Sequence, residues 1–261
     1  MDKRSKIGIF DSGLGGISVL HDIYSIMPSE SFLYFGDSQN APYGVRSKEE
    51  VLELSERICN WMIHEEDVKA IVIACNTATS AAVDVLRSKF NIPIIGMEPA
   101  IKPAIAGTTN AVVVLATEMT LKEEKFNHLL QTFEEAHRII KMPAPLLVDV
   151  VENHMEEDDK IEELVSFYLD QIQGKIEGIV LGCTHFIFLR PFIDAYYNGE
   201  VELFDGNIGT AYQLKNVLNT LELLTDYEGK GQLKIVNSKG DAYEEKANKM
   251  LDFLRKRAEN G

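Results

Sequence analysis

Short apolar runs alternate along the chain with longer segments that have apolar side chains every three or four positions. The short runs predict β-strands at Lys6–Phe10, Ser31–Phe35, Ala70–Ala74, Ile92–Ile95, Val112–Ala116, Gly178–Leu181, Val201–Phe204 and Gln232–Val236. The longer segments predict amphipathic helices, among them Glu49–His64, Leu121–His137, Lys160–Gln173 and Asp241–Ala258. Valine- and isoleucine-rich strands that alternate with helices favour parallel sheets covered on both faces. We therefore expect an α/β protein.

Two of the predicted strands end in the same way. The third strand runs into Cys75, Asn76 and Thr77, and the sixth strand runs through a glycine into Cys183 and Thr184. Ligands of open parallel sheets bind beyond the carboxyl ends of the strands, so both cysteines are predicted to lie at ligand-binding edges. The shared pattern indicates two related α/β units, although no stricter internal repeat is present.

The domain organisation follows from these two units. The first is expected to comprise residues 1–96 together with the C-terminal residues 210–261, and the second to comprise residues 97–209. With 261 residues, the chain is long enough for two domains of about 100–150 residues each.

A glycine-rich loop, Phe10–Gly16 (FDSGLGG), follows the first strand and opens a helix, and Asp37 ends the second strand. The pattern resembles a dinucleotide-binding fingerprint only superficially, because Ser18 takes the third glycine position. Asp11 would also place a carboxylate where a pyrophosphate needs bare N–H groups. The glycines more plausibly allow a tight turn while Asp11 and Ser12 face a small ligand.

Composition excludes several classes of function. A formal charge of −15 argues against a nucleic-acid partner, which requires clustered lysine and arginine. The apolar runs are shorter than the ~20 residues of a membrane span, and the N-terminus lacks a signal-peptide pattern. We expect a cytoplasmic protein with no membrane association.

The three cysteines differ in their surroundings. Cys59 lies on the apolar face of the predicted helix Glu49–His64 and is interpreted as core filler. Cys75 and Cys183 each precede hydrogen-bonding side chains, and His185 lies two residues beyond Cys183. A helix N-terminus beside a thiol lowers its pKa and makes the sulfur a usable base or nucleophile.

Three chemistries could use such a pair of cysteines. A disulfide is disfavoured in the cytoplasm, and a metal site with Asp11 and His185 lacks the close C-x2-C ligand spacing of structural zinc sites. The third is acid–base chemistry on opposite faces of one carbon, where one sulfur removes a proton and the other delivers one. The matched settings of Cys75 and Cys183 favour this third chemistry, with neither metal nor cofactor.

Taken together, six motifs make the chain similar to the cofactor-independent aspartate/glutamate racemase family, and in particular to its glutamate racemases. They are Ile9–Gly16, Gly36-Asp37 with Ala41–Arg46, Ala74–Ala78, Gly96–Ala100, Leu115–Thr117 and Leu181–His185. The resemblance implies two parallel-sheet α/β domains that face each other across the active site with pseudo-symmetry, in a homodimer. It implies interconversion of L- and D-glutamate, which supplies D-glutamate for peptidoglycan.

The resemblance also implies roles for individual residues. Cys75 would act on the D-enantiomer with help from Asp11, and Cys183 on the L-enantiomer with help from Glu152 and His185. The implied substrate contacts are Asp11, Ser12, Pro42, Tyr43, Gly44, Asn76, Thr77, Thr117, Thr120, Thr184 and His185. The loop at Tyr43 also makes sense physically, since proline and glycine fix a turn and the tyrosine brings a hydroxyl and an apolar ring.

Two departures from the family pattern and three alternatives remain at this point. The chain has Asp205-Gly206-Asn207 where the family has Asp-Ser-Gly or a close variant, and Ala144 where a cysteine is frequent. Glu152 could equally be a solvated residue at a helix end. The alternative functions are racemisation of aspartate or another amino acid, ligand binding without catalysis, and hydrolysis by a single cysteine.

Overall fold

The computed structural model describes residues 2–260 and divides into two compact units. One unit contains the residues up to Met97 and those from Asn207 onward, and the other is Glu98–Gly206. The strands are β1 (Ile7–Asp11), β2 (Phe32–Gly36), β3 (Ala70–Ile73), β4 (Ile94–Gly96), β5 (Ala111–Ala116), β6 (Ile139–Pro143), β7 (Ile176–Leu181), β8 (Glu202–Phe204) and β9 (Leu233–Asn237).

Helices surround both sheets. They are α1 (Ile17–Ile26), α2 (Lys48–His64), α3 (Asn76–Lys89), α4 (Ile101–Gly107), α5 (Glu118–Lys122), α6 (Glu124–Gln131), α7 (Leu146–Asn153), α8 (Asp158–Leu169), α9 (Arg190–Tyr196), α10 (Asn207–Thr220) and α11 (Asp241–Asn260). Short 3-10 helices occur at Tyr43–Val45, Glu134–Arg138 and Thr184–Leu189. No helix within residues 2–260 is long and apolar enough to cross a membrane.

The first unit is built on a parallel sheet with strand order β4-β3-β1-β2-β9. β1 and β3 are completely buried near its centre, and six of their nine residues have branched or aromatic apolar side chains. The register pairs Asp11 with Gly36 and Phe10 with Ile73. The residues that follow these strands, including Asp37 and Cys75, therefore emerge at the same edge of the sheet.

The second unit has a parallel sheet with strand order β6-β5-β7-β8. Its central strand β5 packs on one face against a buried apolar cluster that includes Ile101, Ala104 and Phe126. Leu115 on β5 pairs with Leu181 on β7, so Thr117 and Cys183 follow their strands at one edge. The prediction of two parallel-sheet α/β domains is confirmed.

Each predicted strand is present to within two residues at either end. The prediction of one helix over Leu121–His137 is wrong, because Glu123 has an extended backbone and separates α5 from α6. The Asn127 side-chain amide donates to the carbonyls of Leu121, Lys122 and Glu123, which stabilises this break. The predicted helix Lys160–Gln173 ends early, at Leu169.

Sequence patterns also failed to predict β6. This strand lies at an edge of its sheet and is only half-buried, so its sequence (IIKMP) shows no continuous apolar run. It carries Lys141 and ends in a proline, and both residues are typical of exposed edge strands.

Candidate active site

Cys75 lies at the junction between β3 and α3. Its backbone is extended and its sulfur accepts a hydrogen bond from the Ala78 N–H, with Sγ and N 3.4 Å apart. The thiol is thus the N-terminal cap of a 14-residue helix and is 5% exposed. Both the N–H donor and the helix dipole favour negative charge on the sulfur.

Ser12 connects Cys75 to a buried carboxylate. The Cys75 thiol donates to Ser12 Oγ at 3.7 Å, and the Ser12 hydroxyl donates to Asp11 Oδ1 at 3.3 Å. All three side chains are buried. We call this row of Cys75, Ser12 and Asp11 the first relay, because each group can exchange a proton with the next.

The glycine-rich loop holds the Asp11 carboxylate in place. The backbone N–H of Ser12 donates to Asp11 Oδ1 at 2.7 Å, and that of Gly16 donates to Oδ2 at 2.5 Å. A Cβ at position 16 would lie 2.6 Å from the Asp11 Cβ, so only glycine fits there. Two of the loop N–H groups that could otherwise bind a pyrophosphate therefore donate to Asp11.

Cys183 follows β7 and opens the 3-10 helix Thr184–Leu189. Its sulfur lies 3.6 Å from His185 Nδ1, and His185 Nε2 lies 2.7 Å from Glu152 Oε1 on α7. We call the row of Cys183, His185 and Glu152 the second relay. Glu152 is 7% exposed, so it is a buried partner of the imidazole and not a solvated residue at a helix end.

The second relay favours a protonated imidazole. Burial alone would lower the pKa of His185, but the hydrogen bonds to Cys183 and Glu152 and the negative charges of both partners raise that pKa well above 6.5. An imidazolium beside the sulfur stabilises a Cys183 thiolate, while Glu152 balances the positive charge on the ring.

The remaining predicted contacts in the first unit surround the edge that carries Cys75. Asn76 and Thr77 are buried in the first turn of α3, and Asn76 Oδ1 has no hydrogen-bond partner among residues 2–260. Tyr43 is buried and its hydroxyl donates to Asp37. Pro42 is exposed and Gly44 is half-buried.

The contacts predicted in the second unit follow β5 and β7. Thr117 caps α5, with its Oγ1 accepting from the Thr120 N–H at 3.3 Å and lying 3.0 Å from Thr120 Oγ1. Thr184 is buried directly after Cys183. The structure thus gathers the predicted residues into two groups, one in each unit.

Comparison with known proteins identifies the family. Residues 23–212 match the model of the Asp/Glu/Hydantoin racemase family, a stretch that contains both Cys75 and Cys183. The chain belongs to this family. The resemblance that the sequence motifs indicated is thereby confirmed, and so is the prediction of an amino-acid racemase.

Relatives that match nearly the whole chain are named glutamate racemases. The glutamate racemase of Bifidobacterium animalis subsp. lactis is 45% identical over 258 residues, which cover 97% of this chain and 100% of the relative. A glutamate racemase isoform of Bacillus anthracis superimposes with a TM-score of 0.84 at 29% identity, covering 94% of this chain and 92% of that one.

A third relative was solved with an amino acid bound. The glutamate racemase of Francisella tularensis subsp. tularensis, in complex with D-glutamate, superimposes with a TM-score of 0.81 at 26% identity. The match covers 95% of this chain and 94% of that racemase.

The structure shows side-chain contacts for two of the residues at 205–207, where the chain departs from the family pattern. Arg190 donates to the Asp205 carboxylate within the second unit. Asn207 Nδ2 donates to Asp22 Oδ2 at 3.1 Å within the first unit. Asp205, which the family pattern shares, and Asn207, which departs from it, therefore both hold the segment at which the chain passes from one unit to the other.

Proposed function

We propose that this racemase interconverts L- and D-glutamate without a cofactor, with Cys75 and Cys183 as the two acid–base groups. The observation that carries the proposal is the presence of two buried relays, each running from a thiol at a strand end to a carboxylate. Glutamate racemases that match nearly the whole of this chain support glutamate as the substrate.

The reaction requires one thiolate and one thiol. Starting from L-glutamate, the Cys183 thiolate removes the α-proton, which leaves a carbanion at the α-carbon. The Cys75 thiol then delivers its proton from the opposite side, and the product is D-glutamate. The reverse reaction begins with a Cys75 thiolate and ends with proton delivery from Cys183.

Each relay stabilises the thiolate of its own cysteine and exchanges a proton with it. The Ala78 N–H and the N-terminus of α3 stabilise a Cys75 thiolate, and Ser12 and Asp11 can accept the thiol proton. On the other side, protonated His185 stabilises a Cys183 thiolate or returns a proton to it, with Glu152 holding the ring. The two relays therefore carry comparable chemistry with different groups.

Neutral donors and acceptors are proposed to bind the substrate. Asn76 Oδ1 lacks a partner among the described residues and is available to accept from an ammonium N–H. Hydroxyls of Ser12, Thr77 and Thr184, with those of Thr117 and Thr120, can donate to carboxylate oxygens and to developing carbanion charge. The backbone of Pro42-Tyr43-Gly44 completes the proposed contacts.

The family resemblance supports three further proposals about the setting. We infer a cytoplasmic homodimer that supplies D-glutamate for peptidoglycan. No group of three His, Cys, Asp or Glu side chains suited to a metal ion is found in residues 2–260. The proposed chemistry likewise needs no metal.

The test is optical. Purified protein is incubated without added cofactor, in the presence of a chelator, with L-glutamate or L-aspartate, and optical rotation is followed. We expect L-glutamate solutions to lose rotation completely and L-aspartate solutions to keep it. Loss of rotation with L-aspartate alone would show that aspartate, and not glutamate, is the substrate. A stable rotation with both amino acids would contradict racemisation.

A further inference from the structure

Asp37 is a buried carboxylate outside both relays. It follows β2, is 3% exposed, and its carboxylate accepts from the Asn40 side-chain amide, with both oxygens 3.0 Å from Nδ2. Its Oδ2 also accepts from the Tyr43 hydroxyl at 2.7 Å. A buried carboxylate with three short contacts has a fixed orientation, since breaking any of them leaves charge unsatisfied.

The backbone of Asp37 is fixed to the first relay. The Asp37 N–H donates to the Asp11 carbonyl oxygen at 2.9 Å, extending the β1–β2 pairing by one residue. A single residue thus contacts the backbone of Asp11 and the side chain of Tyr43. Asp11 ends β1 and Tyr43 begins the 3-10 helix Tyr43–Val45, and both are proposed to contact the substrate.

The hydrogen bond to Asp37 determines what Tyr43 can do. A phenol has one proton, and here it is donated to Asp37 Oδ2. Burial raises the pKa of Tyr43 far above its ordinary value, and the charge of Asp37 and the nearby charges of Cys75 and Asp11 raise it further. Tyr43 is therefore neutral, and any further hydrogen bond to its hydroxyl oxygen must be accepted by that oxygen.

We propose that Asp37 is a positioning residue of the racemase, which holds the Tyr43 hydroxyl and thereby orients the Tyr43-Gly44 segment toward the substrate. The inference rests on the proposed function, because that function makes Tyr43-Gly44 a substrate contact. It assigns Asp37 to ligand binding and removes Tyr43 from the set of proton donors in the reaction.

Three variants test the inference: Asp37→Ala, Tyr43→Phe and the double variant. We expect KM for each enantiomer of glutamate to rise about tenfold in each single variant, with kcat changed less than about twofold. The reason is that the lost hydrogen bond contributes equally to binding of the substrate and of the transition state. The double variant should match the weaker-binding single variant, since both changes remove the same hydrogen bond. The pH profile of kcat/KM should keep its shape in Tyr43→Phe.

A binding measurement makes the test independent of turnover. Calorimetric titration with D-glutamate should give dissociation constants that rise by the same factor as KM. The matched control is Tyr196→Phe, which removes another tyrosine hydroxyl donated to an aspartate, Asp170, at an exposed position. The KM and kcat of this control should equal those of the unmodified protein. Midpoints of thermal unfolding should confirm that all variants are folded.

Several results would overturn the inference. One is a fall in kcat with unchanged KM, and another is a double variant whose losses multiply. A third is the disappearance of one limb of the pH profile in Tyr43→Phe, since this would make Tyr43 a proton donor. Glutamate binding by an unmodified protein that fails to racemise it would refute only the proposed function, whereas failure to bind glutamate at all would refute both.

Discussion

The two relays have the same plan but differ in the group between thiol and carboxylate. In the first relay this group is the hydroxyl of Ser12, which stays neutral while it exchanges protons. In the second it is the imidazole of His185, which carries a positive charge. On the proposed mechanism, the two units therefore stabilise a thiolate in two different ways.

The surrounding secondary structure explains the difference. Cys75 caps the 14-residue helix α3 and accepts the Ala78 N–H, so the helix itself stabilises negative charge on the sulfur. Cys183 precedes a six-residue 3-10 helix, and its side chain makes no capping hydrogen bond there. The imidazolium of His185 supplies at Cys183 the positive charge that the helix supplies at Cys75.

The largest predicted effect comes from removing either sulfur. Cys75→Ala and Cys183→Ala should each lower the racemisation rate by at least about a thousandfold in both directions, because each direction uses one cysteine as base and the other as acid. Polarimetry with each enantiomer measures the loss.

Cys59 provides the matched control for this experiment. It is fully buried in α2, and burial raises the pKa of its thiol to about 12, so it carries no thiolate at neutral pH. Cys59→Ala should retain racemisation within about threefold. Full activity in either Cys75→Ala or Cys183→Ala would contradict a mechanism that uses both relays.

The next largest effect distinguishes the roles of the two relays. His185→Asn and Asp11→Asn should each lower kcat/KM by about a hundredfold, and equally for both enantiomers, because the equilibrium constant between enantiomers is one. In His185→Asn, proton removal by Cys183 becomes slower. The primary isotope effect with α-deuterated L-glutamate should therefore rise, while that with α-deuterated D-glutamate should fall.

Asp11→Asn should give the mirror image. The isotope effect should rise with deuterated D-glutamate and fall with deuterated L-glutamate, because the first relay serves Cys75. Identical isotope effects in the two variants would show that the relays are not assigned to separate cysteines.

The third prediction concerns stability and pH. The pKa of His185 is higher in the folded protein than in the unfolded chain, where it is near 6.5. The stabilisation is therefore complete below the unfolded value and is lost as the pH rises through the folded value. His185→Asn should lower the free energy of unfolding by about 2 kcal/mol at pH 6, and by less at alkaline pH.

Urea unfolding of both proteins across this pH range provides the measurement. The difference in the free energy of unfolding should shrink steadily above neutral pH. A difference that grows with pH would mean that His185 is buried as the neutral imidazole.

The smallest effect is expected for Ser12→Ala. The Cys75 sulfur keeps its hydrogen bond from Ala78 when the hydroxyl is lost, and a water molecule in the vacated space can join Cys75 to Asp11, so kcat/KM should fall only about three- to tenfold. Ser55→Ala is the matched control, since Ser55 is a buried serine whose hydroxyl donates to the Val51 carbonyl in α2. A thousandfold loss in Ser12→Ala would make the hydroxyl itself indispensable for proton transfer.

Much of the fold could be predicted because central strands are buried on both faces. Residues 7–10 of β1, all of β3 and residues 178–181 of β7 are runs without a polar side chain, and the polar residues that follow them mark the ligand-binding edge. Edge strand β6 and the break at Glu123 could not be predicted, because both depend on tertiary contacts with no local signal.

The composition of the relays was only partly predictable. The resemblance implied that Glu152 assists Cys183, and the structure places the imidazole of His185 between the two. Ser12 was predicted as a substrate contact, and only the folded loop places its hydroxyl between Asp11 and Cys75. Asp37 was predicted at a strand end, but its bond to Tyr43 depends on how residues 37–43 fold back.

The most direct test of the central claim is the isotopic content of the first product formed in D2O. L-glutamate is mixed with the protein, and the α-positions of both enantiomers are examined by mass spectrometry after a few per cent conversion. The two-thiol account predicts that the D-glutamate carries one solvent deuterium per molecule, while the remaining L-glutamate keeps its protium. Substantial protium in the early D-glutamate would contradict it, because a single base would then be returning the proton that it removed.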